Sequence, residues 1–246
     1  MCHYIYYVQP EDLDANGKAT VPALYRIAIN SIGKRIREEG YGIDVMSANG
    51  LSWVIARCGV EFLRRPDLYE SLRVDVWRGE SSSVCQERCF SIKGEMGEEI
   101  CRGVTHWCVM DSASRRPVQF DIKGLAAPSS LEESASGPAR KAPCLRPRRI
   151  ASFSAEGGER RCASYCECDF NGHLNNVKYL EMFLDLLPRS VAGSLSPLRL
   201  DLNFRKEVPC GDIIRTAVRP MSDGCYEFCM YHGNTPACSA RLCAAA

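Results

Sequence analysis

Three polar side chains, Asp169, Asn171 and His173, stand at alternate positions in the stretch Asp169-Phe170-Asn171-Gly172-His173-Leu174-Asn175-Asn176-Val177-Lys178-Tyr179. On extended backbone this spacing projects all three to one side. An acid, an amide and an imidazole placed together suit the polarisation of a carbonyl. The stretch runs directly into an apolar pattern of helical period. The free N–H groups and positive dipole end of a helix start favour developing negative charge. The same residues also admit a plainer role, with Asp169 and Asn171 forming a turn and a helix cap.

The elements that must hold these residues can be read outward from them. A helix is expected from His173 to Leu187, with Val177, Leu180, Leu184 and Leu187 on one face and Pro188 as a stop. A strand over Cys162–Cys168 precedes it, and strands over Leu198–Val208, Ile213–Val218, Tyr226–Tyr231 and Ala237–Cys243 follow. The first half of the chain repeats this order. A short strand over residues 3–9 leads to a helix that starts at Thr20, with Pro22 in its first turn. Leu24, Ile27, Ala28, Ile32 and Ile36 lie on its apolar face, and Gly40 ends it. Strands over Leu51–Phe62, Leu72–Trp77, Val84–Ile92 and Ile100–Met110 come next, the first apolar enough to be central. Strand, helix and antiparallel strands, twice over, give an α+β class with two similar sheets joined edge to edge, each hugging its own helix. Residues 127–149 separate the halves: Pro, Ser, Gly and Ala first, then Arg140, Lys141, Arg146, Arg148 and Arg149. They read as a basic linker crossing the surface between domains at 1–126 and 150–246.

Composition sets the bounds. Apolar residues make up 46%, charged residues 25%, and the net charge is +1, so charge gives no argument for a nucleic acid or membrane partner. No apolar run approaches the ~20 residues of a membrane span. Met1-Cys2-His3-Tyr4-Ile5-Tyr6-Tyr7 carries neither a basic n-region nor a long apolar core, and a cytoplasmic location is expected. Fifteen cysteines without a secretory signal read as reduced thiols. Cys166 with Cys168, and Cys225 with Cys229, lack the repeated spacing of a zinc site, so no metal is expected. Of the remaining histidines, His3 and His232 follow no pattern, and His106 beside Trp107 reads as structural.

The stretch Asp169–Tyr179 (DFNGHLNNVKY) resembles the motif of the acyl-acyl-carrier-protein (acyl-ACP) thioesterases. Phe204-Arg205-Lys206-Glu207-Val208 lies where that family carries an aromatic-basic-basic-Glu-Cys segment. Leu51–Arg57 (LSWVIAR), Arg65–Trp77 (RPDLYESLRVDVW) and Trp107–Arg116 (WCVMDSASRR) are similar to its N-terminal half. The resemblance spans roughly Tyr4 to Val218. It implies a double hotdog, two tandem hotdog domains forming one pseudo-dimer, and leaves open whether the pseudo-dimer pairs further into a homodimer. The N-terminal hotdog would hold the acyl chain and the C-terminal one the catalytic residues.

The implied reaction is hydrolysis of the thioester between a fatty acyl chain and the phosphopantetheine arm of acyl carrier protein, without a cofactor. The implied catalytic set is Asp169, Asn171, His173 and Glu207. The plant members have a Cys after the Glu; here that residue is Val208, and Cys210 follows two positions on. Water is therefore the expected nucleophile, deprotonated by Glu207 and His173. Asn171 and the helix-start amides would serve the oxyanion, and Asp169 would hold them in place. Trp53, Asn175, Asn176 and Lys178 are candidate substrate contacts. Because carrier proteins are acidic, Arg146, Arg148 and Arg149 are candidate docking residues. An acyl-CoA thioesterase, a hotdog 3-hydroxyacyl thioester dehydratase and a non-catalytic acyl-thioester sensor are the competing expectations.

Overall fold

The computed structural model describes residues 2–82, 84–119, 139–194, 197–222 and 224–244. The first half contains β1 (Cys2–Tyr7), α1 (Val21–Glu38), α2 (Ile43–Ala48), β2 (Leu51–Phe62), β3 (Ser71–Ser81), β4 (Gln86–Lys93), β5 (Glu99–Asp111) and the short β6 (Pro117–Val118). The second contains β7 (Glu159–Cys162), α3 (Asn176–Asp185), α4 (Arg189–Ala192), β8 (Leu198–Phe204), β9 (Ile213–Pro220), β10 (Tyr226–His232) and β11 (Thr235–Ala244). All strands belong to one antiparallel sheet in the order β1-β3-β4-β5-β2-β8-β11-β10-β9-β7, with β6 paired to β5. The halves join where β2 pairs β8, Arg57 facing Asn203 and Phe62 facing Leu198. The expected edge-to-edge arrangement is thus a continuous sheet.

Each half wraps its sheet on one main helix. Thr20 caps α1 by accepting from the Ala23 amide at 3.1 Å, and Gly40 ends the run at φ +85°. Leu24, Ala28 and Ile32 of α1, Leu180 and Phe183 of α3, and Val60, Leu200 and Leu202 of the central strands are fully buried in one shared core. Phe183 stacks on Phe228 at 5.2 Å. Because hydrophobic stabilisation follows buried area, this shared core makes each half depend on the other.

The other face of the sheet carries charge. Glu61 takes Arg102 and Arg199, Asp201 takes Arg199, and Glu227 takes Arg219 and Arg241. Residues 139–150 of the basic segment lie across this face. Arg140 donates its amide to Arg78, Trp77 donates its indole N–H to Lys141, and Arg148 and Ile150 donate their amides to Asp201 and Asn203. Gly59 permits this approach: a Cβ there would stand 3.0 Å from Pro147 Cα and 2.5 Å from Arg199 Nη2. The first part of the expected linker, residues 127–138, lies outside the described residues.

Two expectations are corrected. Cys162–Cys168 is not one strand. β7 stops at Cys162, and a 3-10 turn follows over Tyr165–Glu167, in which Glu167 takes the Ser164 amide at 2.9 Å. The cysteines are not all thiols either. Cys225 and Cys243, placed opposite each other at the open end of the β10–β11 hairpin, form a disulfide.

Candidate active site

The motif turn is built by Asp169. Its backbone N–H donates to the His173 carbonyl at 2.7 Å, and its carboxylate accepts the amides of Asn171 at 2.9 Å and His173 at 3.3 Å. Gly172 sits at φ +73°, where a side chain would be strained. The acid and the amide therefore do not share one face of a strand. Asp169 closes the turn that carries His173.

Behind the turn, Asn175 caps α3 by accepting from the Val177 amide at 2.9 Å. One helix-start amide is thus occupied by this chain's own side chain. Asn176 starts α3 with its Oδ1 buried and unpartnered. Lys178 pairs with Glu181 at 2.6 Å.

Glu207 arrives from the opposite strand. The chain leaves β8 at Phe204 and runs antiparallel to the motif: Leu174 donates its amide to Val208 at 2.8 Å, His173 bridges to Pro209, and Cys210 donates to Gly172 at 2.8 Å. This pairing brings Glu207 Oε2 to 3.7 Å from His173 Nε2. The side chains are 35% and 26% exposed, so substrate and water can reach both. At this separation the two groups are just beyond a direct hydrogen bond, and one water can contact both. Asn171 is exposed at the rim of the turn. Tyr179 is buried beneath, edge-on to Phe204 at 5.4 Å. Burial pushes its hydroxyl well above the usual range, with Cys238 and the Glu207 carboxylate adding to the effect, so it stays protonated.

Cys210 is exposed. The group it influences is the Cys168 thiol, which is pushed up to about 11 by desolvation, then by its hydrogen bond with Cys210 and by nearby carboxylates. Cys168 also donates to the Ser164 carbonyl at 3.3 Å.

One residue at the site has no counterpart among those singled out from sequence. Arg115, from the turn joining β5 to β6 in the first half, forms an ion pair with Glu207 Oε1. The pair is possible because β5, β2 and β8 are neighbours and the turn and Glu207 both lie beyond the same end of them. The signal was present in Trp107–Arg116, but a sequence does not show which carboxylate an arginine meets.

The remaining candidates have other partners. Trp53 is half-buried, edge-on to Trp107 at 6.4 Å, and donates to the Tyr41 carbonyl at 3.0 Å. Arg146 pairs with Glu87 at 2.5 Å and Glu80 at 2.7 Å, and the Arg148 guanidinium is 4.0 Å from Asp201. Arg149 is exposed. The two charges paired to the sheet thus hold the crossing segment down. A cleft of about 470 Å³ on this outer face, lined by Phe153, Glu156, Arg215, Tyr231 and Asn234 among others, contains none of the candidates. Among the described residues no three His, Cys, Asp or Glu side chains converge as metal ligands, and no helix is long and apolar enough to cross a membrane.

Comparison with known proteins gives the family and the fold. Residues 3–123 match the model of the acyl-ACP thioesterase N-terminal domain, and residues 160–235 that of the C-terminal domain. A dodecanoyl-[acyl-carrier-protein] hydrolase of Cinnamomum camphora is 24% identical over 80% of this chain and 53% of its own length. An oleoyl-acyl carrier protein thioesterase of Arabidopsis thaliana is 22% identical over 85% of this chain and 60% of its own. The chain thus spans about half the length of the curated relatives it matches. An acyl-ACP thioesterase structure from Bacteroides thetaiotaomicron superposes with a TM-score of 0.83 at 21% identity, covering 98% of this chain and 96% of that one. The 12:0-ACP thioesterase of Umbellularia californica gives 0.83 at 16% identity, over 98% and 96%. The fold is the double hotdog, and the chain belongs to the acyl-ACP thioesterase family.

Proposed function

We propose that this protein hydrolyses the thioester of fatty acyl-ACP, releasing free fatty acid and the carrier's thiol. The observation that carries the reading is the opposition of His173 and Glu207 across 3.7 Å, on a chain of this family. A thioester has a good leaving group, so the demand is for an activated nucleophile and a stabilised oxyanion. Water between His173 and Glu207 attacks the carbonyl carbon and gives its proton to this pair. Asn171 supports the oxyanion. The tetrahedral intermediate expels the thiolate, which His173 protonates. Asp169 keeps the turn closed. The first half, with Trp53 at its edge, takes the acyl chain. The acidic carrier protein is the partner, and the cytoplasm is the location that goes with this chemistry.

The test is thiol release from acyl carrier thioesters and from the matching acyl-CoA, wild type beside His173→Ala. Release by the wild type alone, faster on the carrier, supports the reading. Equal or faster release from CoA makes it an acyl-CoA thioesterase. Loss of substrate without free thiol indicates a dehydratase. Bound but intact thioester indicates a sensor.

A further inference from the structure

Arg115 occupies a conformation that arginine seldom adopts. Its φ is +54°, in the left-handed region where glycine, asparagine and aspartate are usual. The turn that imposes this is tightly specified. Asp111 donates its amide to the Arg116 carbonyl, and Arg115 donates its amide back to Asp111, both at 2.9 Å. The Asp111 carboxylate takes the amide and the hydroxyl of Ser114, each at 2.7 Å, which holds it below the usual carboxylate range. Ser112 donates to the Gly50 carbonyl at 2.8 Å, fastening the turn to the start of β2. Tyr69 is also left-handed, at φ +61°, with its side chain exposed. Backbone conformation alone therefore marks no site. Arg115 differs in what its side chain meets.

Its guanidinium holds Glu207 Oε1, while Oε2 faces His173. A carboxylate gripped on one oxygen by a planar, permanently charged group has its other oxygen aimed. Glu207 follows β8 in a segment outside regular strand and is 35% exposed, so without a partner it has freedom to turn away. The gripping residue comes from the half that carries none of the motif.

We infer that Arg115 is a positioning residue for the hydrolytic reaction, acting through Glu207, and that the active site is complete only when both halves contribute. This rests on the thioesterase reading above. It predicts that replacing Arg115 changes turnover and leaves affinity alone, because Arg115 aims the base and need not touch the acyl chain.

The experiment compares Arg115→Gly and Arg115→Lys with wild type, each also in a Glu207→Gln background, by steady-state hydrolysis and thermal melting. Glycine accepts the left-handed turn, so Arg115→Gly should fold with an unchanged or raised Tm. Its kcat should fall about 10- to 100-fold with KM within about twofold, in line with the cost of misplacing a catalytic group. Arg115→Lys should recover most of that loss. In the Glu207→Gln background Arg115→Gly should add no further loss. Wild-type kcat in a folded Arg115→Gly variant overturns the inference. So does an undiminished loss without Glu207, which would mean Arg115 acts elsewhere. A wild type that releases no thiol rejects the thioesterase reading itself, an outcome separate from either of these.

Discussion

His173 and Glu207 face each other across 3.7 Å although they leave the chain on different elements, one from a turn before a helix and one from the end of a strand. The antiparallel pairing of residues 172–174 with 208–210 fixes that distance, and neither side chain has to pack deeply to keep it. Removing either group should therefore cost activity more than stability. His173→Ala and Glu207→Gln should each lower kcat by about 10²- to 10⁴-fold. Cys210→Ala should keep turnover within about threefold of wild type, since proton transfer typically contributes far more than this. Thiol-release kinetics on folded variants decide the matter, and an inactive but folded Cys210→Ala would replace water by a cysteine nucleophile.

The crossing segment supplies a prediction about stability. Asp201 is buried, accepts the Arg148 amide at 3.0 Å and binds Arg199 at 2.8 Å, and Arg199 in turn donates to the Arg146 carbonyl at 3.2 Å. One carboxylate thus ties the segment to the central strands. Asp201→Ala leaves buried Arg199 with Glu61 as its remaining carboxylate, so the cost should fall below the roughly 3–5 kcal/mol typical of a buried charge left unpaired. The denaturant midpoint should fall accordingly. Trypsin should cut the variant after Arg148 or Arg149 before the rest of the fold opens. Cleavage at the wild-type rate would mean that other contacts hold the segment.

Acid sensitivity should arise on the same face. Burial, with Arg57 adding to it, lowers the His106 pKa from its ordinary 6.5 despite the nearby Glu87 carboxylate. Burial alone would raise Glu87, but the Arg146 hydrogen bond and charge, with His106, bring it below its ordinary 4.5. The unfolded chain therefore takes up the His106 proton first. Stability should decline as pH falls from about 6.5 towards the lower folded value. The Glu87 contribution is present above about 4.5 and is lost as pH drops through its folded value. His106→Gln should remove the first decline and leave the second, as read from urea midpoints against pH. An unchanged upper decline would mean that His106 already titrates normally in the fold.

What the sequence made legible depended on how local each cause was. Helix α1 was readable because Thr20, the Leu24–Ile36 periodicity and Gly40 all lie within it. β2 was recognisable as central because both its neighbours bury it. The Cys162–Cys168 stretch was misread because a Ser164–Glu167 turn competes with strand and alternation does not reveal the turn. The motif turn identified His173, but Glu207 became a candidate only through resemblance. Arg115 stayed hidden because its partner lies 92 positions away in the other half. Arg146 and Arg148 looked free for the same reason: Glu87, Glu80 and Asp201 are neighbours through strand register, which composition does not contain.

The Cys225–Cys243 bond should stabilise without affecting turnover. It closes 18 positions of chain across the open end of the β10–β11 hairpin. A loop of that size is typically worth about 3 kcal/mol, by restricting the unfolded chain. The register puts the bond far from the chemistry. Cys243 faces Arg199 near the start of β8, whereas Cys238 faces Phe204, three residues before Glu207. Five residue steps of strand separate the two levels by about 17 Å at the usual rise. Cys225→Ser with Cys243→Ser, or reduction of the wild type, should therefore lower Tm while kcat on acyl thioesters stays the same. The comparison also reports the redox state. A melting curve that does not respond to reductant, matching that of the double serine variant, would mean that the two thiols are reduced in solution. A loss of turnover on reduction would couple the far end of β11 to Glu207 through β8.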